Sequence, residues 1–172
     1  MRMEHAQLLS YEHFERKSKA DIIASVQPTH AVSDRDLVDN YWGDRGARAY
    51  AFKSLLDAGV VLAFGSDSPV DTLDPIEGIR AAVFRSSTAE EQPWYPQECL
   101  NLKEALRAYT AGSAHAAGEE KIWGVIRPGN LADFTVLTED ILRDDGDENA
   151  LWNCEVKATV VGGEVVYSNE EA

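Results

Sequence analysis

The sequence predicts an α/β fold in which parallel strands alternate with helices, followed by a β-rich segment. Predicted helices alternate with predicted strands near residues 2–5, 22–26 and 60–64, as in a parallel sheet or barrel. From residue 122 onward, apolar runs flank glycine-containing turns, which is typical of antiparallel hairpins. The 172 residues suffice for one domain with a small appendage, whereas a complete (β/α)8 barrel needs about 250.

The first unit contains a strand, a helix and a second strand. The first strand ends at His5, and a serine N-cap predicts a helix over residues 10–19. The apolar run 22–26 then predicts a short buried strand, which ends before Pro28 because proline cannot donate a ladder hydrogen bond. Since His30 follows directly, we expect both histidines at or just beyond a strand end.

The second unit is a helix followed by a buried strand. Apolar residues at helical spacing predict a helix over 46–58, and Gly59 stands where a left-handed residue would end it. The continuous apolar run 60–64 is typical of a parallel strand covered on both faces. Asp67 comes just after this strand, among small residues that leave its carboxylate room to face a ligand.

Two further helices have clear start motifs. Asp74 followed by proline predicts an N-cap for a helix that extends to about Arg85. Asn101 with Glu104 three residues later resembles a capping box. The long connection between these helices, 86–100, carries aromatic side chains that we expect to be exposed and functional.

The C-terminal segment is predicted to be β-rich. Residues 131–137 are strand-like, and the runs 156–161 and 165–167 flank two glycines as a two-residue hairpin. We therefore divide the chain into residues 1–121, the helix and parallel-strand portion, and residues 122–172, the β-rich segment.

Charge and composition exclude several classes of function. The chain has 30 acidic against 16 basic residues, a net charge of −14, so we expect no nucleic-acid partner and no anionic membrane surface. It has no apolar run long enough for a membrane span and no signal peptide. Cys99 and Cys154 match no metal or redox spacing. These features favour a soluble, cytoplasmic protein.

Three residues are candidates for chemistry. Asp67 could bind a cation and accept a proton from a metal-bound water, or it could cap a turn. His5 could be a metal ligand, since neutral imidazole suits zinc, or a structural histidine. His30 could bind or orient a substrate, or it could bond to the backbone of its own loop. Dinucleotide, P-loop and nucleophile-elbow motifs are absent from the sequence.

Four short motifs in order resemble the C-terminal part of the metal-dependent amidohydrolase superfamily. The resemblance is to amidohydrolase family 3, the branch that includes N-substituted formamide deformylases, and it covers nearly the whole chain. It rests on residues 2–7 (RMEHAQ), 24–30 (ASVQPTH), 65–70 (GSDSPV) and 129–134 (GNLADF).

The resemblance implies a fold and a role for each candidate. The parallel strands would be about strands 6 to 8 of a TIM-like (β/α)8 metallo-hydrolase barrel, and the β-rich segment would belong to a small flanking β-sandwich. His5 would be the metal-ligand histidine of strand 6. Asp67 would be the strand 8 aspartate, which touches the metal and moves the proton. His30 would line the substrate pocket.

The implied reaction is hydrolysis of a carbon–nitrogen bond, such as an amide of a small molecule, by water activated on a divalent metal, with zinc as first choice. The family's strand 1 His-x-His pair, strand 4 lysine and strand 5 histidine have no counterparts here. His5 and Asp67 are two ligands where a catalytic zinc usually has three. We therefore expect an incomplete site, and a chain that by itself binds metal poorly and hydrolyses little or nothing.

Three hypotheses remain open from the sequence. In the first, the chain is the C-terminal fragment of an amidohydrolase whose remaining part lies elsewhere. In the second, it is a catalytically incompetent protein that self-associates or binds a partner through exposed strand edges. In the third, it pairs with the missing N-terminal half as a two-chain enzyme.

Overall fold

A computed structural model of the chain describes residues 1–10, 12, 21–143 and 148–169. The described residues form a three-stranded parallel sheet, a separate three-stranded antiparallel sheet and short helices around them. The predicted α/β fold, with parallel strands before a β-rich segment, is confirmed. The assignment of the parallel strands to strands 6 to 8 of a barrel, and the division between residues 121 and 122, stay predictions.

The parallel sheet has the order β1 (Arg2–Glu4), β2 (Ile23–Val26) and β3 (Val61–Phe64), close to the predicted positions. Glu4 lies opposite Ser25, and Val26 lies opposite Phe64, so the three carboxyl ends meet at one edge of the sheet. The side chains of Val26 and Phe64 are buried, as expected for strands covered by helices.

Four short helical segments connect β2 to β3. They are α1 (Pro28–Ser33), α2 (Arg35–Tyr41), a 3-10 helix (Gly43–Arg48) and α3 (Phe52–Asp57). Gly59 has φ +81°, in agreement with the predicted left-handed helix end. The predicted helix over residues 10–19 lies almost entirely outside the described residues.

The predicted single helix over 46–58 is interrupted at residues 49–51, because tertiary contacts hold the chain out of helical conformation there. Ala49 forms an antiparallel bridge with Leu8. The Tyr50 amide donates to the Gln7 carbonyl at 2.9 Å, and Tyr50 itself has φ +51°. A helix cannot pass through a residue of this conformation, so α3 begins only at Phe52.

After β3 come α4 (Pro75–Phe84), α5 (Leu102–Arg107), a π-helical segment (Ala108–Gly112) and α6 (Ser113–Ala117). Both predicted caps are confirmed. The Ile76 amide donates to Asp74 Oδ1 at 2.8 Å, and Asn101 and Glu104 exchange two bonds of 2.9 Å as a capping box.

A buried arginine anchors the connection between α4 and α5. Arg85 is 1% exposed, and its guanidinium donates to the carbonyls of Trp94 and Tyr50 at 2.6 and 3.0 Å. Burial lowers the pKa of Arg85 to about 10. The expectation that this connection exposes its aromatic residues is wrong for Trp94, which is 6% exposed and packs over Arg85.

The C-terminal segment forms the antiparallel sheet β4 (Phe134–Leu137), β5 (Val156–Val161) and β6 (Glu164–Ser168), with the predicted glycine turn between β5 and β6. A helix that the sequence analysis did not predict, α7 (Glu148–Asn153), precedes β5. Trp152 of α7 stacks on Phe84 of α4 at 5.0 Å between ring centroids. No helix among the described residues is both long enough and apolar enough to span a membrane.

Candidate metal centre

The three predicted site residues lie together beyond the carboxyl edge of the parallel sheet. His5 follows β1, His30 lies in α1 just after β2, and Asp67 follows β3. Parallel strands that end at one edge bring the residues after them together, although the chain separates these three widely. An imidazole nitrogen of each histidine and a carboxylate oxygen of Asp67 all lie within 4.8 Å of one another.

Two of the three residues adopt a left-handed backbone conformation that is uncommon outside glycine. His5 has φ +63°, and Asp67 has φ +57°. The His5 amide donates to the Ser25 carbonyl at 2.7 Å, and the Val70 amide donates to the Asp67 carbonyl at 2.9 Å. These bonds hold the turns at the ends of β1 and β3, and conformations of this kind concentrate at functional sites.

The orientation of the His5 ring is set by its neighbours. Nδ1 lies 3.0 Å from Gln27 Oε1 and 4.0 Å from Asp67 Oδ2. An amide oxygen only accepts, so this bond places the proton on Nδ1 and leaves the lone pair of Nε2 for a metal. The ring also lies nearly parallel to that of His30, with 6.2 Å between centroids and 14° between planes.

His30 is the buried member of the group. It is 7% exposed, and its Nε2 atom is buried without a hydrogen-bond partner among the described residues. The side chains of His5 and Asp67 are 46% and 37% exposed. A polar atom buried without a partner costs free energy, so each such atom requires an explanation.

The group borders a cleft of about 450 Å³, whose other lining residues are Gln7, Ser33, Asp34, Val70 and Asp71. The carboxylates of Asp34, Asp67 and Asp71 therefore line the cleft, and their negative charge favours the binding of a cation. On one wall, the Tyr50 hydroxyl donates to Asp34 and accepts from Gln7 at 3.1 Å. Burial is the main cause that raises the pKa of Tyr50, and the hydrogen bond to Asp34 is the second.

The donor set suits a divalent metal. Two imidazoles and one carboxylate are the donors that zinc accepts, at about 2.0–2.2 Å from the ion. Ligands bound at such distances lie closer to one another than the 4.8 Å within which these three donor atoms fall, so side-chain rotations would have to bring them onto one ion. The roles predicted for His5, His30 and Asp67 stay predictions.

Several residues of the site were not among the sequence candidates. Gln27, Gln7, Tyr50 and Asp34 make the bonds that shape the cleft. No spacing singled them out, because their contacts depend on the approach of residues 7 and 50 from different units. His115 lies outside this group, on α6, 3.8 Å from Glu120.

The chain is similar in sequence to a family of known proteins. A model of the amidohydrolase family matches residues 1–167. The chain is 40% identical over 169 residues to a protein of Bacillus subtilis named amidohydrolase YtcJ, covering 96% of this chain and 32% of that protein. It is 31% identical over 169 residues to the N-substituted formamide deformylase of Arthrobacter pascens, covering 97% and 31%.

Solved structures show similar folds. An uncharacterised metal-dependent hydrolase from Pyrococcus horikoshii superposes with a TM-score of 0.66 and 32% identity, covering 75% of this chain and 26% of that one. The atrazine chlorohydrolase of Arthrobacter aurescens, complexed with zinc, gives 0.69 and 24% identity, covering 98% and 36%. The chain spans about a third of the length of the curated relatives that it matches.

Proposed function

The chain belongs to the amidohydrolase family, and from this premise we propose that it forms part of a metal-dependent hydrolase of carbon–nitrogen bonds other than peptide bonds. The observation that carries the proposal is the convergence of His5, His30 and Asp67 within 4.8 Å at the carboxyl edge of the parallel sheet. In parallel α/β enzymes this edge is where the chemistry takes place.

The proposal includes an architecture. The strands β1, β2 and β3 would be strands 6 to 8 of a (β/α)8 barrel, and the antiparallel sheet would be part of a flanking β-sandwich. The two outer strands of the parallel sheet, β1 and β3, then mark where the rest of the barrel joins. This agrees with a chain that covers 32% of the Bacillus subtilis relative.

His5 and Asp67 are the residues that we propose for metal binding. The bond from Nδ1 to Gln27 leaves Nε2, the other nitrogen of His5, for the ion, and the carboxylate of Asp67 lies 4.0 Å from Nδ1 of the same ring. When bound, a divalent metal would lower the pKa of a water molecule toward about 7 and polarise the substrate carbonyl. We take zinc as the first choice, because these donors suit it.

Asp67 would also move the proton. Its side chain is 37% exposed, so one carboxylate oxygen can face the cleft while the other holds the ion. It would take a proton from the attacking water and deliver it to the leaving nitrogen, which must be protonated to depart as an amine. His30 lines the same cleft, in reach of substrate and ion alike.

The substrate class that we propose is a small amide. The relative from Arthrobacter pascens is named for N-substituted formamides, which makes such compounds the first probes. Polyanionic substrates are disfavoured, because the carboxylates of Asp34, Asp67 and Asp71 line the cleft and would repel them.

The experiment uses the native protein that carries this chain, loaded with zinc, and measures amine release from an N-substituted formamide. We expect Asp67→Asn to lower turnover at least about a hundredfold, because the amide cannot accept the proton. Asp57→Asn, at an exposed position on α3 that is not among the residues lining the cleft, is the matched control and should leave turnover unchanged. Full turnover by Asp67→Asn would remove Asp67 from the mechanism.

A second candidate function is association with another polypeptide. An apolar groove of about 1100 Å³ runs between α4, α5 and the antiparallel sheet, and Val136 and Val161 beside it are 44% and 53% exposed. We propose that this groove and the sheet edges bind either the remaining part of the enzyme or, in the isolated chain, a second copy. Exposed apolar patches of this kind mark interaction surfaces.

A further inference from the structure

The sequence predicts two metal ligands, and the structure places a third candidate beside them. We propose that His30 is itself a protein ligand of the metal, so that His5, His30 and Asp67 form a three-ligand site within this chain. The inference deepens the proposed function and rests on it. It assigns His30 a role beyond the predicted contact to substrate.

The first argument is burial. His30 is 7% exposed, and its Nε2 atom has no hydrogen-bond partner among the described residues. A histidine that only binds substrate in an open cleft can hydrogen-bond to water when no substrate is present, so it needs no partner within the protein. A buried imidazole without a partner needs a group that satisfies it inside the protein, and coordination to a metal ion does so.

The second argument is geometry. The His30 ring lies nearly parallel to that of His5, at 6.2 Å between centroids, and an imidazole nitrogen of each ring lies within 4.8 Å of the Asp67 carboxylate. Imidazoles arranged in this way can both direct a nitrogen toward one ion between them and the carboxylate. Because His30 lies in α1, a regular helix, it offers a fixed ligand toward which the more exposed His5 and Asp67 can rotate.

The third argument is charge. Two neutral imidazoles and one carboxylate leave a divalent ion with a net charge of +1, which still polarises water and carbonyl groups. Catalytic zinc sites commonly have three protein ligands and one open position. With His30 included, this chain reaches that number, so we expect it to bind zinc through its own three residues, more tightly than His5 and Asp67 alone would.

The test measures zinc affinity of the 172-residue chain by competition with a chromophoric chelator. We expect one zinc per chain, and at least about a tenfold loss of affinity in His30→Gln, since even residues that only orient ligands cost 10–100-fold. His115→Gln is the matched control, because His115 is exposed on α6 away from the cleft. It should bind zinc as the unaltered chain does.

A measurement on the unaltered chain covers the case in which His30→Gln fails to fold. Zinc is added to chain labelled with nitrogen-15, and the imidazole resonances are followed by NMR. We expect the ring nitrogens of His5 and His30 to shift together at one equivalent of zinc, while those of His115 stay in place.

The outcomes separate the inference from the proposed function. Should His5→Gln abolish zinc binding while His30→Gln retains full affinity and the His30 resonances stay unmoved, His30 is no ligand, and the metal site of His5 and Asp67 stands without it. If the unaltered chain binds no zinc, the three-ligand site within this chain is overturned. Turnover of the native protein and its Asp67→Asn variant then decides the proposed function separately.

Discussion

Gln27 connects the two histidines of the candidate site without being a ligand. It is 7% exposed, it precedes α1, which carries His30, and its Oε1 atom lies 3.0 Å from His5 Nδ1. A hydrogen bond from the non-ligating nitrogen fixes both the tautomer and the rotation of a metal-binding imidazole. Gln27 is therefore a positioning residue for His5.

Replacement of Gln27 tests this role. Gln27→Leu keeps the approximate volume and removes the acceptor, so His5 loses the partner that holds its proton on Nδ1. We expect zinc affinity of the chain to fall about 10–100-fold, measured by chelator competition. Gln92→Leu, at an exposed position of the 86–100 connection, serves as control. Equal affinities of the two variants would contradict a positioning role.

Tyr109 gives a prediction about pH. Burial, and then the nearby Asp74 and Asp71, raise the pKa of Tyr109 above its ordinary value of 10.0. When unfolded, the phenol loses its proton near pH 10, whereas the folded protein retains it to higher pH. The folded state therefore binds more protons in this range, and the free energy of unfolding falls as pH rises above 10.

The measurement is urea unfolding between pH 8 and about 11. One such group contributes a slope of up to about 1.4 kcal/mol per pH unit, so Tyr109→Phe should lose stability less steeply than the unaltered chain above pH 10. Tyr41→Phe changes a tyrosine that is 74% exposed and should retain the full slope. Identical slopes for Tyr109→Phe and the unaltered chain would argue against a buried, protonated phenol.

The helical stretch from α5 to α6 packs on β3 through its π-helical segment. A Cβ atom added at Gly112 would lie 2.1 Å from the Leu62 carbonyl oxygen, closer than real contacts allow. Ser113, the next residue, donates to the Phe64 carbonyl at 2.9 Å. Glycine at 112 thus sets the distance between this helix and the strand that leads to Asp67.

Gly112→Ala should therefore push the helix away from β3. We expect a loss of about 1–3 kcal/mol in the free energy of unfolding, the usual cost of overpacking, measured by urea unfolding. Gly65→Ala is the control, because a Cβ atom there meets no atom within 4 Å. A Gly112→Ala variant as stable as Gly65→Ala would show that β3 and the helix can separate without cost.

The elements show where sequence patterns suffice. The caps of α4 and α5 depend on neighbouring residues alone, so Asp74 and the Asn101 and Glu104 pair were predictable from spacing. The interruption before α3 depends on Leu8 and Gln7, which reach residues 49 and 50 from an earlier unit. The periodicity of apolar residues carries no information about such a contact, so the helix predicted from it began too early in the chain.

The whole molecule combines an acidic surface with exposed apolar area. Its net charge is −14, yet the groove between α4, α5 and the antiparallel sheet is lined by valine, isoleucine and aromatic side chains. Like charge opposes association over distance and is screened by salt, whereas apolar burial acts at contact. The chain should therefore associate more strongly as salt concentration rises.

Analytical ultracentrifugation at micromolar concentration tests the proposed self-association. We expect species larger than the 19.0 kDa monomer, increasing with salt. Val136→Lys places a charge in the groove and should shift the chain toward monomer, while Leu37→Lys, on the exposed face of α2, should not. A monomer at every salt concentration would contradict association through this groove.

The family, the three parallel strands, the antiparallel hairpin and two metal-binding candidates were predictable from the sequence, because short motifs and apolar periodicity are local properties. It placed His5, His30 and Asp67 at or near strand ends, and parallel strands made their proximity predictable. Tertiary structure alone decided which of them is buried, which lacks a partner, and that Gln27 holds His5. Burial and hydrogen bonding depend on residues brought together from distant units, so His30 emerged as a metal-ligand candidate only from the packed molecule.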